Sequence, residues 1–293
     1  LNAEGRKALA SIPSDPPPPK LTGNQHYFVS DEVHPQRFYT AIKDLGGIWM
    51  GVGPEQNYLF ASWAKPEILI LLDFDQAIVD LHSVYAAFFV ASPTSGSFLT
   101  LWTKFNESRA LQLIGKAAVN EERRKSMVYS YTQGRRAIWQ RLRAWSLTKL
   151  PARTFMSGVA EYAYLRSMFT TGRVRAVRGD LKGTQSVAGV AAAAKRLKLA
   201  VRGLYVSNVE HYFSYASGLG RNMTRLPADK RSIIVRTAVT HKPKPTQRYQ
   251  YIVQKRGDFK AWLADKSILR ISDIMQRCMP YRYIGKARLL CGP

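Results

Sequence analysis

The sequence predicts an α/β protein, a doubly wound sheet carrying a helical insertion. Three observations predict it. Two short apolar runs, residues 47–53 and 66–75, are each followed by a helical pattern. Residues 106 to about 171 then run without strand signals. Strand patterns resume at Arg173 and alternate with further helical patterns. Continuous apolar runs suit parallel strands covered on both faces, and strand-helix alternation with short turns suits a doubly wound sheet.

Residues 1–20 are expected to be a linker, because Pro16 to Pro19 lack backbone donors and fix φ, which favours an extended polyproline spacer. Residues 21–293 are expected to form one domain. Gly47–Gly53 is a buried strand entering a glycine turn, and 55–64 has helical spacing through Tyr58, Leu59, Ser62 and Trp63. Pro66–Asp75 is the second buried strand. Residues 77–90 form a helix through Ile78, Leu81, Val84, Tyr85 and Phe88. The insertion, at about 106–171, carries helices near 107–119, 121–145 and 154–170. A strand follows at 173–180. An Ala-rich helix spans 184–197, with Thr184 as a fitting N-cap. Another strand lies at 201–208. Two alternating strands, 231–238 and 248–254, are expected to pair, and a short helix covers 259–264.

The chain has 293 residues, with 44 Lys+Arg against 20 Asp+Glu and a formal net charge of +24. Hydrophobic residues make up 46%, so the low hydrophobicity that accompanies disorder is missing. Collagen-like and disulfide-scaffold classes are excluded. The charge points to an anionic partner or surrounding, nucleic acid, another anionic polymer or a membrane surface. No uncharged apolar run reaches the ~18 residues of a transmembrane helix. A first residue other than Met, followed by the Pro-rich spacer, raises the expectation of an exported or lipid-anchored protein, periplasmic or envelope-associated; a shortened chain would look the same. The two cysteines, Cys278 and Cys291, are either a disulfide of an oxidising compartment or two free thiols, and their common location favours the disulfide.

The most informative feature is the turn Gly51-Val-Gly53-Pro-Glu-Gln56-Asn57, with Asp73 following Gly53 by twenty residues. Glycines at a strand-to-helix turn let a ligand approach the backbone, and an acid ending the next strand can accept hydrogen bonds from ribose hydroxyls. Two glycines alone also make a plain tight turn. Pro54-Glu55 replaces the third glycine of the dinucleotide fingerprint. Glu55 would repel a pyrophosphate, which disfavours NAD and FAD and leaves S-adenosylmethionine open as cofactor. The expected cofactor-binding set is Gly51, Gly53, Gln56, Asn57, Asp73 and Asp75, with Asp73 and Asp75 a ribose clasp, a weak cation site or solvated acids.

Ligands of open α/β sheets sit outside the carboxyl ends of the strands. Two later strands end in Arg178-Gly-Asp180 and in Ser207-Asn208-Val-Glu210-His211-Tyr212. Asp180, Ser207 and Tyr212 are therefore candidate substrate contacts, and Asn208 and Glu210 candidate catalytic groups, the first orienting a nucleophile and the second acting as a base. The same residues also read as a helix start, with Ser207 or Asn208 as N-cap.

These stretches, together with Asp73-Phe-Asp75, Leu81-His82 and Tyr85, resemble an uncharacterised bacterial family that carries GVGxxQN and LYxSNxExY motifs on a fold like that of class I methyltransferases. Some of its members are exported or lipid-anchored. The resemblance spans roughly residues 20 to 240. It implies a Rossmann-like sheet and a cleft lined by Gly51, Gly53, Gln56, Asn57, Asp73, Asp180, Ser207, Asn208 and Glu210, and it implies no reaction. His211 stands where Gln is common and Asp31 where Asn is common.

The five histidines, His26, His34, His82, His211 and His241, show no metal-ligand spacing, and His82 reads as a core histidine. No GxSxG elbow, Walker loop or kinase set occurs. Residues 116–153 interleave Lys116, Arg123, Arg124, Lys125, Arg135, Arg136, Arg141, Arg143, Lys149 and Arg153 with Tyr129, Tyr131, Trp139 and Trp145. Such a pattern suits nucleic acid, or equally a packed helix with a solvated basic face. The leading expectation is an S-adenosylmethionine-dependent methyltransferase-like protein, active or without turnover. Its alternatives are an exported envelope binding or scaffold protein and a basic nucleic-acid-binding protein. The candidate cleft, with Asp73, Asp75, Asp180 and Glu210, is an acidic exception in a basic chain, suited to a hydroxyl-rich or cationic small molecule.

Overall fold

The computed structural model describes residues 1–148, 152–239 and 248–293. Its strands are β1 Ile48–Val52, β2 Ile68–Asp73, β3 Val174–Arg178, β4 Val201–Ser207, β5 Ile233–Val239, β6 Tyr249–Lys255, β7 Arg282–Ile284 and β8 Ala287–Leu290. They form one sheet in the order β3-β2-β1-β4-β5-β6-β8-β7. The first five strands are mutually parallel. β6 runs antiparallel to β5 in full register from Ile233↔Lys255 to Val239↔Tyr249, the expected late pair. β8 is parallel to β6, and β7 closes the far edge as a hairpin.

The helices are α1 Ala3–Ala10, α2 Tyr39–Ile42, α3 Gln56–Ala64, α4 Gln76–Ala91, α5 Ser95–Thr100, α6 Glu107–Ala117, α7 Glu121–Ser146, α8 Val159–Thr170, α9 Ser186–Arg196, α10 Leu219–Arg225, α11 Arg256–Trp262 and α12 Ile271–Arg277. Successive side chains of a strand face opposite sides, and the two cores obey this. Leu69 and Leu71 of β2 join an aromatic-rich core under α3, α4 and α6–α8. Ile68, Ile70 and Leu72 join a second core under α1 and α9–α12. Each of these five residues is at most 1% exposed, and burying such a side chain contributes about 1.5–3 kcal/mol. The run is continuously apolar because both faces of β2 are covered.

The chain winds outward through β1, β2 and β3 and then returns to β4 and β5, so the order reverses between β1 and β4. The molecule is thus α/β with a mostly parallel, Rossmann-like sheet, and the helices predicted in the insertion are present as α6, α7 and α8. Helix α8 starts at Val159 rather than 154, because Thr154 instead folds a local turn with Ser157.

Two expectations are corrected. The N-terminal stretch expected as a free linker is docked: α1 packs on α9, and Ile12 and Asp15 are 2% and 3% exposed. Thr184 does not cap the Ala-rich helix, which begins at Ser186. Asp15 caps it from a distance, accepting hydrogen bonds from Gln185 N (2.9 Å), Ser186 N (3.4 Å), Asp180 N (3.0 Å) and the Ser186 hydroxyl. Cys278, at the end of α12, is disulfide-bonded to Cys291 with Cα atoms 5.5 Å apart. Among the described residues no helix is long and apolar enough to cross a membrane.

Candidate functional site

The carboxyl ends of β1, β2, β4 and β5 lie along one edge of the sheet. At the β1–α3 turn the two glycines have different reasons. A β-carbon on Gly51 would sit 1.7 Å from Asn57 Oδ1. Asn57 is fully buried there: its Nδ2 donates to the carbonyls of Val52 (2.9 Å), Gly53 (3.1 Å) and Pro54 (3.4 Å), and its Oδ1 accepts from Trp49 Nε1 (3.2 Å). Gly51 thus makes room for the side chain that ties the turn together, and Asn57 is committed to that turn rather than to a ligand. Gly53 has φ +81°, and a β-carbon on it meets no atom within 4 Å, so the backbone borders open space. We expect Gly51→Ala to cost about 1–3 kcal/mol by overpacking and Gly53→Ala about 1–2 kcal/mol from its left-handed φ alone. Urea titrations check both, and a Gly51→Ala variant as stable as the parent would refute this assignment.

At the end of β2 the two acids also separate. Asp75 is buried and serves as N-cap of α4, accepting from Ala77 N at 2.9 Å, with its other oxygen 2.7 Å from His26 Nδ1. Asp73 is half-buried, and its Oδ1 accepts from Asp75 N at 2.9 Å. Burial raises its carboxyl to about 7; the Asp75 amide opposes the rise and the Asp75 charge adds to it. Only Asp73 keeps an oxygen for a ligand. His82 is a core residue, as expected, with Nδ1 2.6 Å from the Tyr58 hydroxyl; its buried Nε2 has no hydrogen-bond partner among the described residues, and burial lowers the imidazole to about 4.

The crevice between β1 and β4 is filled by the chain itself. Residues 26–34 cross the carboxyl edge as a strap. Ser30 N donates to both oxygens of buried Glu55 (3.1 and 3.3 Å), and Arg141 Nε of α7 stands 3.6 Å from that carboxylate. Arg141 also holds the strap carbonyls of Ser30 and Glu32. Burial pushes Glu55 from 4.5 to about 7, against the pull of Arg141 and the Ser30 amide. Glu32, fully buried, points into the switch point. It accepts from the hydroxyls of Ser207 (2.8 Å) and Thr237 (2.7 Å) and from Gln56 Nε2, which also donates to the Tyr205 hydroxyl (3.0 Å). Burial raises the Glu32 carboxyl, and hydrogen bonds from Thr237, Tyr205, Ser207 and Gln56 oppose the rise. Ser207 reaches Glu32 from a left-handed φ of +49°. Beyond it, Asp31 accepts from the Tyr249 hydroxyl and pairs with Arg248 (3.1 Å), Asn208 Nδ2 donates to the Tyr249 hydroxyl (3.4 Å), and Tyr251 accepts from His34 N (2.8 Å).

The predicted residues therefore do not form one cleft. Gly53 and Asp73 share the open end, Gln56 and Ser207 meet through Glu32, and Asn208 lies at the β4–β6 rim. Glu210 is turned inward: its Oε1 accepts from Arg236 Nη1 (2.8 Å) and from the Tyr215 hydroxyl (2.6 Å), all three buried. A buried arginine on β5 needs that counter-ion, so the carboxylate is committed to the core. Asp180 sits in the loop after β3, with Lys182 N on its Oδ1 (2.8 Å). Tyr212 is 53% exposed, with its ring beside those of His211 and Phe213. Sequence reasoning missed Glu32, Arg141, Thr237 and Tyr249 as partners of this edge; no local spacing links them.

The basic segment of the insertion is largely a packed helix. On α7, Arg123 pairs with Asp80, Arg124 with Glu121, and Arg141 with Glu55. Tyr131 and Trp145 are buried in the core, and Arg143 lies over Trp139. Lys116, Lys125, Arg136, Arg143 and Arg153 remain exposed; Lys149 and His241 lie outside the described residues. Among the described residues no group of three or more His, Cys, Asp and Glu side chains is placed to hold a metal.

A search of curated proteins finds no match. The profile of the family described as Domain of unknown function (DUF7790) matches residues 27–284, from the strap to the edge strand β7, and the chain belongs to that family.

Proposed function

We propose that the β1–β2 end of this edge binds a nucleoside of the S-adenosylmethionine type, in a methyltransferase-like protein. The observation that carries this reading is the pairing of Asp73, whose second oxygen is not used in capping the β2–α4 turn, with the open backbone of Gly53. A carboxylate ending β2 can take both ribose hydroxyls while the ligand lies against the glycine. Glu55, at the start of α3, leaves no place for a pyrophosphate at that helix terminus, so the ligand is one without phosphate. Glu210 has no part as a base in this reading. Methyl transfer would rest on alignment of donor and acceptor, with Asn208 at the rim. Calorimetry with S-adenosylmethionine and S-adenosylhomocysteine tests it. The wild-type protein releases heat with at least one, and Asp73→Ala weakens binding about 10- to 100-fold, the loss of hydrogen bonds to a charged group. Silence of the wild-type protein toward both ends the proposal.

A second reading, an envelope binding protein without turnover, is favoured by two observations. The only two cysteines form a disulfide, which persists in oxidising compartments. Glu32 also fills the crevice where a substrate would meet a cofactor. Alkylation of cell extracts discriminates: cysteines oxidised in cells support this reading, and cysteines reduced in cells support the methyltransferase-like one.

A further inference from the structure

Glu32 is an unusual core residue. Fully buried glutamates are almost always paired with a cation, yet among the described residues Glu32 forms no ion pair, and Arg141 meets only its backbone carbonyl (3.2 Å). Its carboxylate is instead ringed by donors from three separate elements: Gln56 Nε2 at the start of α3, Ser207 Oγ at the end of β4 (2.8 Å) and Thr237 Oγ1 on β5 (2.7 Å). Ser207 takes up a left-handed backbone to do this, φ +49°, a conformation that costs a serine energy and persists at ligand clamps and switches. The position is the reversal of strand order, where open α/β sheets hold their ligands. Nor does Glu32 complete the pocket. Gln56 is 1% exposed, and its Oε1 has no partner among the described residues; turning the amide over would set that oxygen against the Glu32 carboxylate, so the orphan acceptor is intrinsic to the pocket.

We propose that the crevice between the carboxyl ends of β1 and β4 is an amino-acid carboxylate site, which Glu32 of the strap fills in cis and an external ligand takes when the strap lifts. Ser207, Thr237 and Gln56 Nε2 bind the α-carboxylate, and the ligand's ammonium group donates to Gln56 Oε1, the bond that Glu32 cannot make. The site uses neither Asp73 nor Gly53, so it stands or falls independently of nucleoside binding at the other end. The strap's remaining ties to Glu55, Asp75, Tyr249 and Tyr251 set how readily it lifts.

Truncation tests this directly, because Glu32→Ala removes a group the shape of acetate. Thermal melts of Glu32→Ala are expected to rise saturably with acetate and at lower concentration with glycine. The rise is roughly 5 °C at a hundredfold excess over Kd, beyond any shift of the wild-type protein. Acetamide gives none, and adding Ser207→Ala abolishes the effect. Equal responses to acetate and acetamide, or a response indifferent to Ser207→Ala, overturn the site; acetate binding no weaker than glycine overturns the amino-acid assignment. Hydrogen exchange on the wild-type protein covers the case in which truncation unfolds the chain. Saturating glycine speeds exchange of amides 26–34 and leaves β2 unchanged, and unaltered exchange over 26–34 overturns the proposal.

Discussion

Arg236→Met is expected to destabilise the protein by about 3–5 kcal/mol, the range for removing one partner of a buried ion pair. Arg236 is 0% exposed and Glu210 2% exposed, and they meet at 2.8 Å. The guanidinium also donates to Gln254 Oε1 (2.7 Å) on β6 and lies over the Phe259 ring. Without it, Glu210 would be a buried carboxylate supported, among the described residues, by the Tyr215 hydroxyl alone, and its Oε2 already lacks a partner there. Desolvation of that unpaired charge, rather than lost attraction, is the larger part of the cost. It follows that Arg236→Met/Glu210→Leu should be markedly more stable than the single variant, because apolar groups of similar size can replace a buried pair with little loss. Urea unfolding of both singles and the double measures the coupling. Additive effects, or a loss under 1 kcal/mol for Arg236→Met, would show that the pair is not what holds the loop after β4.

The distinction between Glu210 and Asp73 marks how far the sequence could be read. Strand β2 and helix α4 are legible because their causes are local: an unbroken apolar run over 68–72 needs two covered faces, and Ile78, Leu81, Val84, Tyr85 and Phe88 fall on one face of a 3.6-residue period. The insertion helices are legible for the same reason. Short elements such as α1, α10, α12 and the β7–β8 hairpin offer too few periods and were not foreseen. For the site, residue type and order place an acid at each strand end, yet not which way each acid turns. Asp75 turns to cap α4, Glu210 turns inward because Arg236 arrives on β5 twenty-six residues later, and Asp73 gives one oxygen to the Asp75 amide and keeps the other. Glu32 was invisible for the same physical reason. Its partners Gln56, Ser207 and Thr237 are 24, 175 and 205 residues away, so no spacing announces them. The acidic cleft foreseen from four carboxylates is in fact four separate environments, and the edge is instead crossed by a strap tied down by its own acids, Asp31 and Glu32, and by its backbone.

The stability of the folded protein should depend on pH, with Glu55 contributing in a definite direction. Burial raises this carboxyl from 4.5 to about 7 in the folded protein. Between these values the folded state holds a proton that the unfolded chain has released, so stability falls as pH rises from about 4.5 through 7 and then levels off. A shift of that size corresponds to about 3 kcal/mol. Asp73, raised from 3.8 to about 7, acts in the same direction. His82, lowered from 6.5 to about 4, acts oppositely: the unfolded chain takes up its proton below 6.5, so its contribution grows as pH rises from 4 to 6.5. The net profile of the wild-type protein therefore mixes signs, and Glu55→Gln separates them. Glutamine has the shape of the protonated acid, can accept from Ser30 N in its place, and carries no charge at any pH. At pH 5 the variant and the wild-type protein should have nearly the same stability. By pH 8 the variant should be the more stable by about 3 kcal/mol, less whatever Arg141 loses by facing a neutral partner at 3.6 Å. Urea midpoints at pH 5, 6, 7 and 8 give the difference directly, and the contributions of Asp73 and His82 cancel in it. A difference that stays flat across this range would mean that Glu55 titrates alike folded and unfolded, and that Arg141 and the Ser30 amide offset its burial in full. A rising difference identifies burial of the Glu55 carboxylate as a cost that the folded protein carries above pH 7, one that the Ser30 amide and Arg141 offset only in part.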